Sequence, residues 1–304
     1  MVAPSGVVNG PRVLAGVALL REMGFQVEGA KDVIGRSCQV RPYLAGSDRE
    51  RVREFEAAFF DPLIDGVVCA RGGYGAMRLL RHLNGERLRE HIKPLLGFSD
   101  ITALNGYFAS VVGVSSWHGP VVQSLPVLKE SAGGESKLES VRDALQGGWT
   151  RSRFEGLQVL RPGPPASGPL LGGNLSLVHA LAGSPWYPSL KGAILFLEDV
   201  GEVPYRIDRM LTSLLLRGAL DGVAGLVLGD LGGAVSRYIE AARCSAVMRS
   251  LVLDVTATAG VPVLCGLPVG HGDENAPIPF GTMSTLSAAG GEGWLEVSSA
   301  VLKQ

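Results

Sequence analysis

The sequence predicts an α/β protein built on a parallel β-sheet with helices on both faces. Short apolar runs bounded by glycine, proline or aspartate alternate with segments whose apolar residues recur at helical spacing, and this alternation is typical of βαβ units. Many of the 42 glycines follow these apolar runs, where tight strand-to-helix turns require them. The 304 residues are enough for two domains of ordinary size.

In the first half, the predicted strands and helices follow each other in order. The expected strands cover residues 2–5, 25–27, 65–70, 95–98 and 111–116. The expected helices contain Val13, Val17 and Leu20, then Val52, Phe55 and Phe59, then Met77 and Leu80, and last Ile101, Leu104 and Phe108. The second of these helices is bounded most clearly, because Ser47 and Glu50 form a capping box at its start and Pro62 follows its end.

The second half resumes this alternation after a weakly patterned region. One helix is expected near residues 137–145, and the segment Arg161-Pro162-Gly163-Pro164-Pro165 is typical of a linker. We therefore expect an N-terminal domain at residues 1–165, including a linker from about residue 120, and a C-terminal domain at residues 166–304. The expected elements of the second domain are strands at 193–197, 225–228 and 262–265, helices at 207–217 and 237–251, and a closing hairpin at 282–302.

Composition argues against several classes of function. Lys and Arg number 28 against 29 Asp and Glu, a net charge of −1, so neither a nucleic-acid partner nor an anionic membrane is indicated. No apolar run reaches membrane-spanning length, and no basic segment precedes the apolar residues 13–20. The four cysteines are scattered, and no cysteine or histidine pair has zinc-site spacing. We expect a reduced, cytoplasmic protein without a metal or another cofactor.

Ser99 is the first candidate for chemistry. The apolar run at residues 95–98 stops at this serine, and a helical pattern begins directly after it. A nucleophile elbow exposes its serine in this way, and leaves the next N–H free to bind an oxyanion. The alternative is that Ser99 only caps the helix. Only one of the two glycines of a G-x-S-x-G pattern is present, so this segment alone leaves both interpretations open.

A glycine-rich turn, Arg71-Gly72-Gly73-Tyr74-Gly75, is the second candidate. Backbone N–H groups at such a turn bind anions, either a phosphate or an oxyanion. The spacing differs from the dinucleotide pattern G-x-G-x-x-G, and a P-loop lysine is absent. The alternative is that these glycines only permit a sharp turn.

Glu198 and His271 are the candidates in the second half. Glu198 is predicted at the carboxyl end of a strand, where α/β proteins collect functional groups, and His271 lies in a loop between two glycines. Their competitors are Asp199, Glu202 and Asp208 among the carboxylates and His118 among the histidines. With Ser99 they could form a triad, in which the histidine takes the hydroxyl proton and the carboxylate orients the histidine.

Several segments occur together in the order that one peptidase family has. They are Phe60-Asp61-Pro62 with residues 69–75, Gly97-Phe98-Ser99-Asp100-Ile101-Thr102, Gly172-Gly173-Asn174-Leu175, Leu197-Glu198-Asp199 with residues 204–211, and Gly270-His271. On these segments, the chain resembles the LD-carboxypeptidase family of serine peptidases, which contains muramoyltetrapeptide carboxypeptidases and microcin-immunity hydrolases. The matches run from residue 4 to residue 281, although tyrosine is common in the family where this chain has Phe98.

The resemblance implies a role for each member of the triad. Ser99 would be the nucleophile, His271 the general base and acid, and Glu198 the group that orients His271. The implied fold is a Rossmann-like, parallel-sheet N-terminal domain joined to a smaller α/β C-terminal domain, with the active site in the cleft between them. The family's habit also implies a homodimer.

The resemblance further implies an oxyanion hole, formed by the N–H of Asp100 and one from Gly72 or Gly73. Candidate substrate contacts are Arg71 and Tyr74 in the glycine-rich turn and Arg206 in the second half. An exopeptidase needs a group that binds the terminal carboxylate, and either arginine could serve.

The expected activity is metal-free hydrolysis of the amide between an L-centre, diaminopimelate or lysine, and the terminal D-alanine of a cytosolic murein tetrapeptide, a step of peptidoglycan recycling. The second hypothesis is a self-immunity hydrolase that cleaves a peptide–nucleotide antibiotic of the microcin C type with the same triad. The third is a non-catalytic binding module, against which the presence of Ser99, Glu198 and His271 argues.

Overall fold

The computed structural model describes residues 1–147, 151–231 and 241–298. Its strands are β1 (Val67–Val68), β2 (Leu95–Leu96), β3 (Ser116–His118), β4 (Arg151–Arg161), β5 (Gly163–Asn174), β6 (Ile194–Glu198), β7 (Gly225–Leu228), β8 (Val263–Cys265), β9 (Ile278–Phe280), β10 (Met283–Ala288) and β11 (Glu292–Ser298). Its α-helices are α1 (Gly10–Glu22), α2 (Ala30–Val33), α3 (Asp48–Phe60), α4 (Gly85–Glu90), α5 (Thr102–Tyr107), α6 (Leu125–Glu130), α7 (Gly134–Gln146), α8 (Leu175–Leu181), α9 (Pro204–Leu216) and α10 (Ala241–Val255). Within these residues, every helix is too short or too polar to pass through a lipid bilayer.

The first sheet has the strand order β1-β2-β3-β9. Strands β1, β2 and β3 are parallel, as predicted, whereas β9 comes from the second half of the chain and pairs antiparallel with β3. Consecutive strand residues face opposite sides of a sheet, and Leu95 and Leu96 accordingly belong to different apolar clusters. Leu96 packs with residues of α1, α6 and α7, and Leu95 with residues of α3, α4 and α5. Helices therefore cover both faces of this sheet.

The second sheet is a closed barrel with the order β10-β11-β4-β8-β7-β6-β5. Strands β5 to β8 lie side by side and run parallel, while β4, β10 and β11 join them through antiparallel pairs. The carboxyl ends of β5, β6, β7 and β8 consequently meet at one edge, where the loops that follow them can share a site.

Two of the expected strands near the N-terminus are not strands of the first sheet. Residues 25–27 follow a helix end that is closed by a hydrogen bond from Phe25 N–H to the Leu20 carbonyl, 3.0 Å long, and they form no ladder. Residues 2–5 contribute one isolated parallel bridge, between Val2 and Cys69. In both segments apolar residues pack against the core with no ladder longer than this single bridge, which apolar content alone cannot reveal.

Two other elements differ from the prediction, one in its length and one in the residue at which it begins. The helix predicted around Met77 and Leu80 is a three-residue 3₁₀ turn, Ala76–Arg78. Residues 108–112 form a π-helical turn closed by Gly113 at φ 80°, so the strand expected at 111–116 begins only at Ser116. Glycine in the left-handed conformation ended the helix where the sequence suggested the start of a strand.

The segment expected as a linker, residues 161–165, is instead the passage from β4 into β5. Its prolines are tolerated because the pairing of β5 with β10 shifts register between Leu286 and Ala288, opposite this stretch. Strands β4 and β5 both belong to the barrel, so the chain leaves the first sheet after His118, the end of β3, and enters the barrel at Arg151, the start of β4. The domain limits at 1–165 and 166–304 stay a prediction.

The remaining expectations agree with the structure. The capping box of α3 is present, and β6, β7, α7 and α9 lie where expected within a few residues. Strands β10 and β11 form the closing hairpin. Residues 237–240 of one predicted helix and 299–302 of the predicted hairpin lie outside the described residues.

Candidate active site

Ser99 lies on a sharp turn between β2 and α5. Its φ of 63° is the only positive φ of a non-glycine residue in the described ranges. This left-handed backbone is strained for serine, and such strain is typical of a nucleophile elbow. Phe98, not Ser99, is the N-cap of the 3₁₀ turn Ser99–Ile101. The interpretation of Ser99 as a simple helix cap is therefore wrong.

The glycine-rich turn lies directly against this serine. The turn follows β1 and Ser99 follows β2, two adjacent parallel strands, so both come from the same edge of the first sheet. A Cβ atom placed on Gly72 would be 2.8 Å from Cβ of Ser99 and 3.0 Å from its hydroxyl oxygen. The N–H of Asp100 lies in the first turn of its helix, where intrahelical acceptors do not exist. Both expected sources of oxyanion donors are thus next to Ser99.

Glu198 and His271 are joined by a hydrogen bond. Glu198 ends β6 and is fully buried, and its Oε2 lies 2.7 Å from Nδ1 of His271 in the loop after β8. Gly270 adopts φ 127°, and a Cβ on it would lie 3.1 Å from Cβ of Glu198. The loop approaches β6 this closely only because a glycine precedes the histidine.

Burial and negative charge act in opposite directions on this pair. Removal from water lowers the pKa of His271, but the hydrogen bond and charge of Glu198, with the charges of Asp199 and Asp230, raise it above the usual histidine value. Burial raises the pKa of Glu198, and the bond to His271 partly offsets that effect. With its Nδ1 directed at Glu198, the imidazole keeps Nε2 available to accept a proton.

Phe98 brings the serine elbow to the histidine loop. Its ring centroid lies 4.7 Å from that of His271, and Phe98 immediately precedes Ser99. A second contact joins the same two regions, because Asn174 N–H at the end of β5 donates to Thr102 Oγ1 at the start of α5, at 3.1 Å. The candidate residues of the two sheets therefore converge on one location.

The competing carboxylates have other partners. Asp199 accepts hydrogen bonds from Ser176 N–H, Ser176 Oγ and Asn174 Nδ2 at 2.9, 2.9 and 3.1 Å, and so holds the start of α8. Asp208 accepts a hydrogen bond from the Thr212 hydroxyl, and Glu202 pairs with Arg206.

The competing histidine is buried in the core. His118 has no exposed surface, and neither of its ring nitrogens has a partner among the described residues. Its ring lies 5.0 Å from that of Phe196 and 6.0 Å from that of Phe98. Burial, with a smaller contribution from the nearby His271, lowers the pKa of His118 to about 3. Of the two histidines, His271 is the one with a carboxylate partner in the described ranges.

The three candidate substrate contacts, Arg71, Tyr74 and Arg206, differ in exposure and in their partners. Arg71 is half-buried beside the elbow, where its guanidinium donates to the Val7 carbonyl. Tyr74 is 48% exposed and packs against Tyr43, with ring centroids 6.0 Å apart. The Arg206 side chain is 56% exposed and pairs with Glu202 at 3.4 Å. A cavity of about 590 Å³ lies beside the histidine loop and is bordered by Gly272.

Sequence reasoning missed two buried polar residues near Ser99. Ser5 and Arg51 are fully buried, and both bond to the region of the elbow and the glycine-rich turn. The only signal for Ser5 was its position after a short apolar run at the N-terminus. Arg51 lies in the first turn of α3 and gave no signal, because its contacts with Pro4 and Gly75 join residues far apart in the sequence.

Models of known families match both halves of this chain. The LD-carboxypeptidase N-terminal domain matches residues 1–119, and the LD-carboxypeptidase C-terminal domain matches residues 167–286. A putative carboxypeptidase of Streptomyces coelicolor is 38% identical over 298 residues, which cover 95% of this chain and 89% of that protein. The chain belongs to the LD-carboxypeptidase family.

Other relatives agree with this assignment. The murein tetrapeptide carboxypeptidase of Pseudomonas aeruginosa is 32% identical over 287 residues, covering 88% of this LD-carboxypeptidase and 87% of that protein. The muramoyltetrapeptide carboxypeptidase from Oxalobacter formigenes superposes with a TM-score of 0.82 at 28% identity, covering 98% and 99% of the two chains. The microcin C7 self immunity protein MccF in complex with aspartyl sulfamoyl adenosine superposes with a TM-score of 0.81 at 22% identity, covering 99% and 94%, and shares the fold.

Three predictions are thereby confirmed: the family, the two-domain α/β fold, and the class of enzyme. This LD-carboxypeptidase is a serine peptidase, with the carboxypeptidase-type function of its relatives.

Proposed function

We propose that this LD-carboxypeptidase hydrolyses the amide bond between diaminopimelate or lysine and the terminal D-alanine of a murein tetrapeptide, with Ser99, His271 and Glu198 as its triad. The observation that carries the proposal is the 2.7 Å hydrogen bond between His271 and Glu198, in which the histidine ring also packs against Phe98, the residue before a serine held at φ 63°. The names of the relatives in Pseudomonas aeruginosa and Oxalobacter formigenes support the class of substrate.

In the first half-reaction, the Ser99 hydroxyl oxygen attacks the carbonyl carbon of the scissile amide, and His271 Nε2 accepts the hydroxyl proton. Glu198 stabilises the resulting imidazolium through Nδ1–H. The N–H groups of Asp100 and of Gly72 or Gly73 bind the oxyanion of the tetrahedral intermediate. His271 then gives its proton to the amine of D-alanine, the C–N bond breaks, and the tripeptide remains as an ester on Ser99.

In the second half-reaction, water replaces D-alanine. His271 takes one proton from this water as the hydroxide oxygen attacks the ester carbonyl, and the same oxyanion donors bind the new intermediate. Collapse breaks the bond to the serine oxygen, which recovers the proton from His271. The products are the tripeptide and free enzyme.

Arg71 is our candidate for binding the terminal carboxylate of D-alanine. It directly precedes Gly72, which adjoins Ser99, and one of its guanidinium nitrogens bonds to the Val7 carbonyl, which leaves further donors for a ligand. Arg206 is less suitable, because it lies on α9 and pairs with Glu202.

The test is incubation with murein tetrapeptide and, separately, with an aminoacyl-sulfamoyl adenosine, followed by mass spectrometry. We expect release of D-alanine by the wild type and its loss, by a factor of about 10⁴ or more, in Ser99→Ala. Ser124→Ala is a matched control, since the Ser124 hydroxyl donates to the Val121 carbonyl and not to a site residue.

The other outcomes separate the alternatives. Cleavage of the adenosine compound alone would contradict the murein substrate and support the self-immunity hydrolase. Turnover of neither compound would support the binding module, and D-alanine release that survives Ser99→Ala would refute the nucleophile. The cytoplasmic location and the homodimer stay predictions.

A further inference from the structure

We propose that Asp100 is a positioning residue whose carboxylate, together with the Arg51 guanidinium, fixes the glycine-rich turn against the serine elbow and so sets the geometry of the oxyanion hole. The inference rests on the proposed function, because it gives Asp100 and Arg51 a task only if Ser99 is the nucleophile. The contacts that support it involve neither Glu198 nor His271.

The Asp100 carboxylate joins the elbow to the turn. Asp100 directly follows Ser99 and is 1% exposed. Its Oδ2 accepts hydrogen bonds from Ala76 N–H at 2.7 Å and from the Ser5 hydroxyl at 2.6 Å. Ala76 directly follows the glycine-rich turn. One carboxylate oxygen therefore links the residue after the nucleophile to the residue after the anion-binding turn.

Arg51 holds the other end of the same peptide group. Its Nη1 donates to the Gly75 carbonyl at 2.9 Å, and the Gly75 carbonyl and the Ala76 N–H belong to one planar peptide unit. This unit is thus bound on its oxygen by a fully buried guanidinium and on its nitrogen by a buried carboxylate. A peptide group held at both ends by hydrogen bonds cannot rotate without breaking one of them.

The N-terminal segment completes this support through three consecutive residues. The Pro4 carbonyl accepts a hydrogen bond from Arg51, the Ser5 hydroxyl donates to Asp100, and Gly6 N–H donates to the Gly72 carbonyl at 3.1 Å. The last bond fixes the peptide between Gly72 and Gly73, one of the two sources of the oxyanion donor. One end of the turn is therefore bound by Gly6, the residue after Ser5, and the residue after its other end, Ala76, is bound by Asp100 itself.

The proposed task of this arrangement is to hold the oxyanion donors in place. Buried ionic groups can often be replaced by apolar side chains with no loss of stability, so stability alone does not account for this pair beside the proposed nucleophile. An oxyanion donor is effective only within hydrogen-bond distance of the developing charge, and a displacement of about 1 Å can cost about 100-fold in rate.

The experiment measures how fast Ser99 reacts with a fluorophosphonate, a probe whose reaction uses the oxyanion hole but no peptide substrate. We expect Asp100→Ala to react at least about 30-fold more slowly than the wild type. Asp100→Asn should remain within about fivefold, because one amide oxygen can still accept from Ser5 and Ala76. With murein tetrapeptide, the same loss should appear in kcat while KM changes less than about twofold.

A matched control is Arg161→Met, which removes a half-buried guanidinium that bonds to Leu253 and Thr256 in another part of the chain. Ser99 of this variant should react with the fluorophosphonate at the wild-type rate. If Asp100→Ala does not fold, Ser5→Ala replaces it, with an expected three- to tenfold slower labelling. Folding is checked in each case by the melting temperature.

Three results would overturn the inference. The first is wild-type labelling in folded Asp100→Ala or, where that variant fails to fold, in Ser5→Ala. The second is equal impairment in Asp100→Asn and Asp100→Ala. The third is labelling that persists in Ser99→Ala, which also overturns the proposed nucleophile. Labelling of Ser99 without cleavage of tetrapeptide refutes only the proposed substrate, and the variant rates then still decide the role of Asp100.

Discussion

At the scale of single residues, the hydrogen bond between His271 and Glu198 determines how the site can respond to pH. The imidazole accepts a proton only when it is neutral, so the reaction of Ser99 should slow as pH falls through the pKa of His271. That pKa is raised above 6.5, since the Glu198 carboxylate and its acidic neighbours outweigh the effect of burial. The acidic limb of the pH profile should therefore have its midpoint above this value.

Glu198→Gln should move that midpoint to lower pH. The substitution removes the charge that raises the pKa of His271 and leaves burial, which lowers it. It should also reduce the rate by about 10³-fold or more, because the uncharged amide does not stabilise the imidazolium and its NH2 can donate to Nδ1, which favours the wrong tautomer. The measurement is the rate of fluorophosphonate labelling against pH. Glu202→Gln, a carboxylate that pairs with Arg206, should keep the wild-type midpoint. An unchanged or higher midpoint in Glu198→Gln would contradict this account.

The sequence indicated the members of the candidate triad but not the residues that support them. Ser99 and His271 stand in recognisable local patterns, and the resemblance to LD-carboxypeptidases assigned their roles. Ser5 and Arg51 have no such pattern, because their hydrogen bonds span 95 residues to Asp100 and 24 residues to Gly75. Contacts of this kind depend on how strands are ordered in a sheet, which a local motif does not specify.

At the scale of secondary-structure elements, the glycine-rich turn is packed tightly against the serine elbow. Gly72 has no room for a side chain, because a Cβ would come within 2.8 Å of Cβ of Ser99. Gly72→Ala should thus displace either the turn or the elbow and lower the rate of tetrapeptide hydrolysis by about 100-fold.

The matched control for this substitution is Gly291→Ala. Gly291 has an ordinary φ, and among the described residues no atom lies within 4 Å of the point where its Cβ would stand, so activity and melting temperature should not change. Circular dichroism would show whether Gly72→Ala keeps its fold. A folded Gly72→Ala variant with wild-type activity would mean that the turn does not help to position Ser99.

Helices with clear boundaries and the buried strands β6 and β7 were predicted well, whereas the extended segments near the N-terminus and the proline-rich segment were not. The capping box at Ser47 fixed the start of α3, and apolar spacing identified α9. By contrast, residues 161–165 resemble a linker in composition but lie in strands, since a register shift in the neighbouring β10 accommodates the prolines. Proline and glycine content reports local backbone preference, whereas sheet pairing is decided by distant residues.

At the scale of the whole molecule, the two sheets share one apolar core. A single cluster contains residues of both, among them Leu95 of β2 and Phe196 of β6. Phe280 of β9 is fully buried in the first sheet, and its ring lies 6.3 Å from that of Phe196 in the barrel. We therefore expect both halves to unfold in one cooperative transition.

Phe280→Ala tests this expectation. The truncation should lower the free energy of unfolding by about 3–5 kcal/mol while calorimetry still shows one transition, at a lower temperature. Tyr205→Ala, at a side chain that is 60% exposed, should change stability by less than about 0.5 kcal/mol. Two separate transitions, in the wild type or in Phe280→Ala, would show that the halves are independent.

The loop that carries His271 begins at β8 in the barrel and ends at β9 in the first sheet. It is therefore anchored in both sheets, so a shift of one sheet against the other would change the separation of the imidazole and the serine hydroxyl. Proton transfer is sensitive to such a separation, so the packing of the shared core would contribute to the rate at which Ser99 reacts.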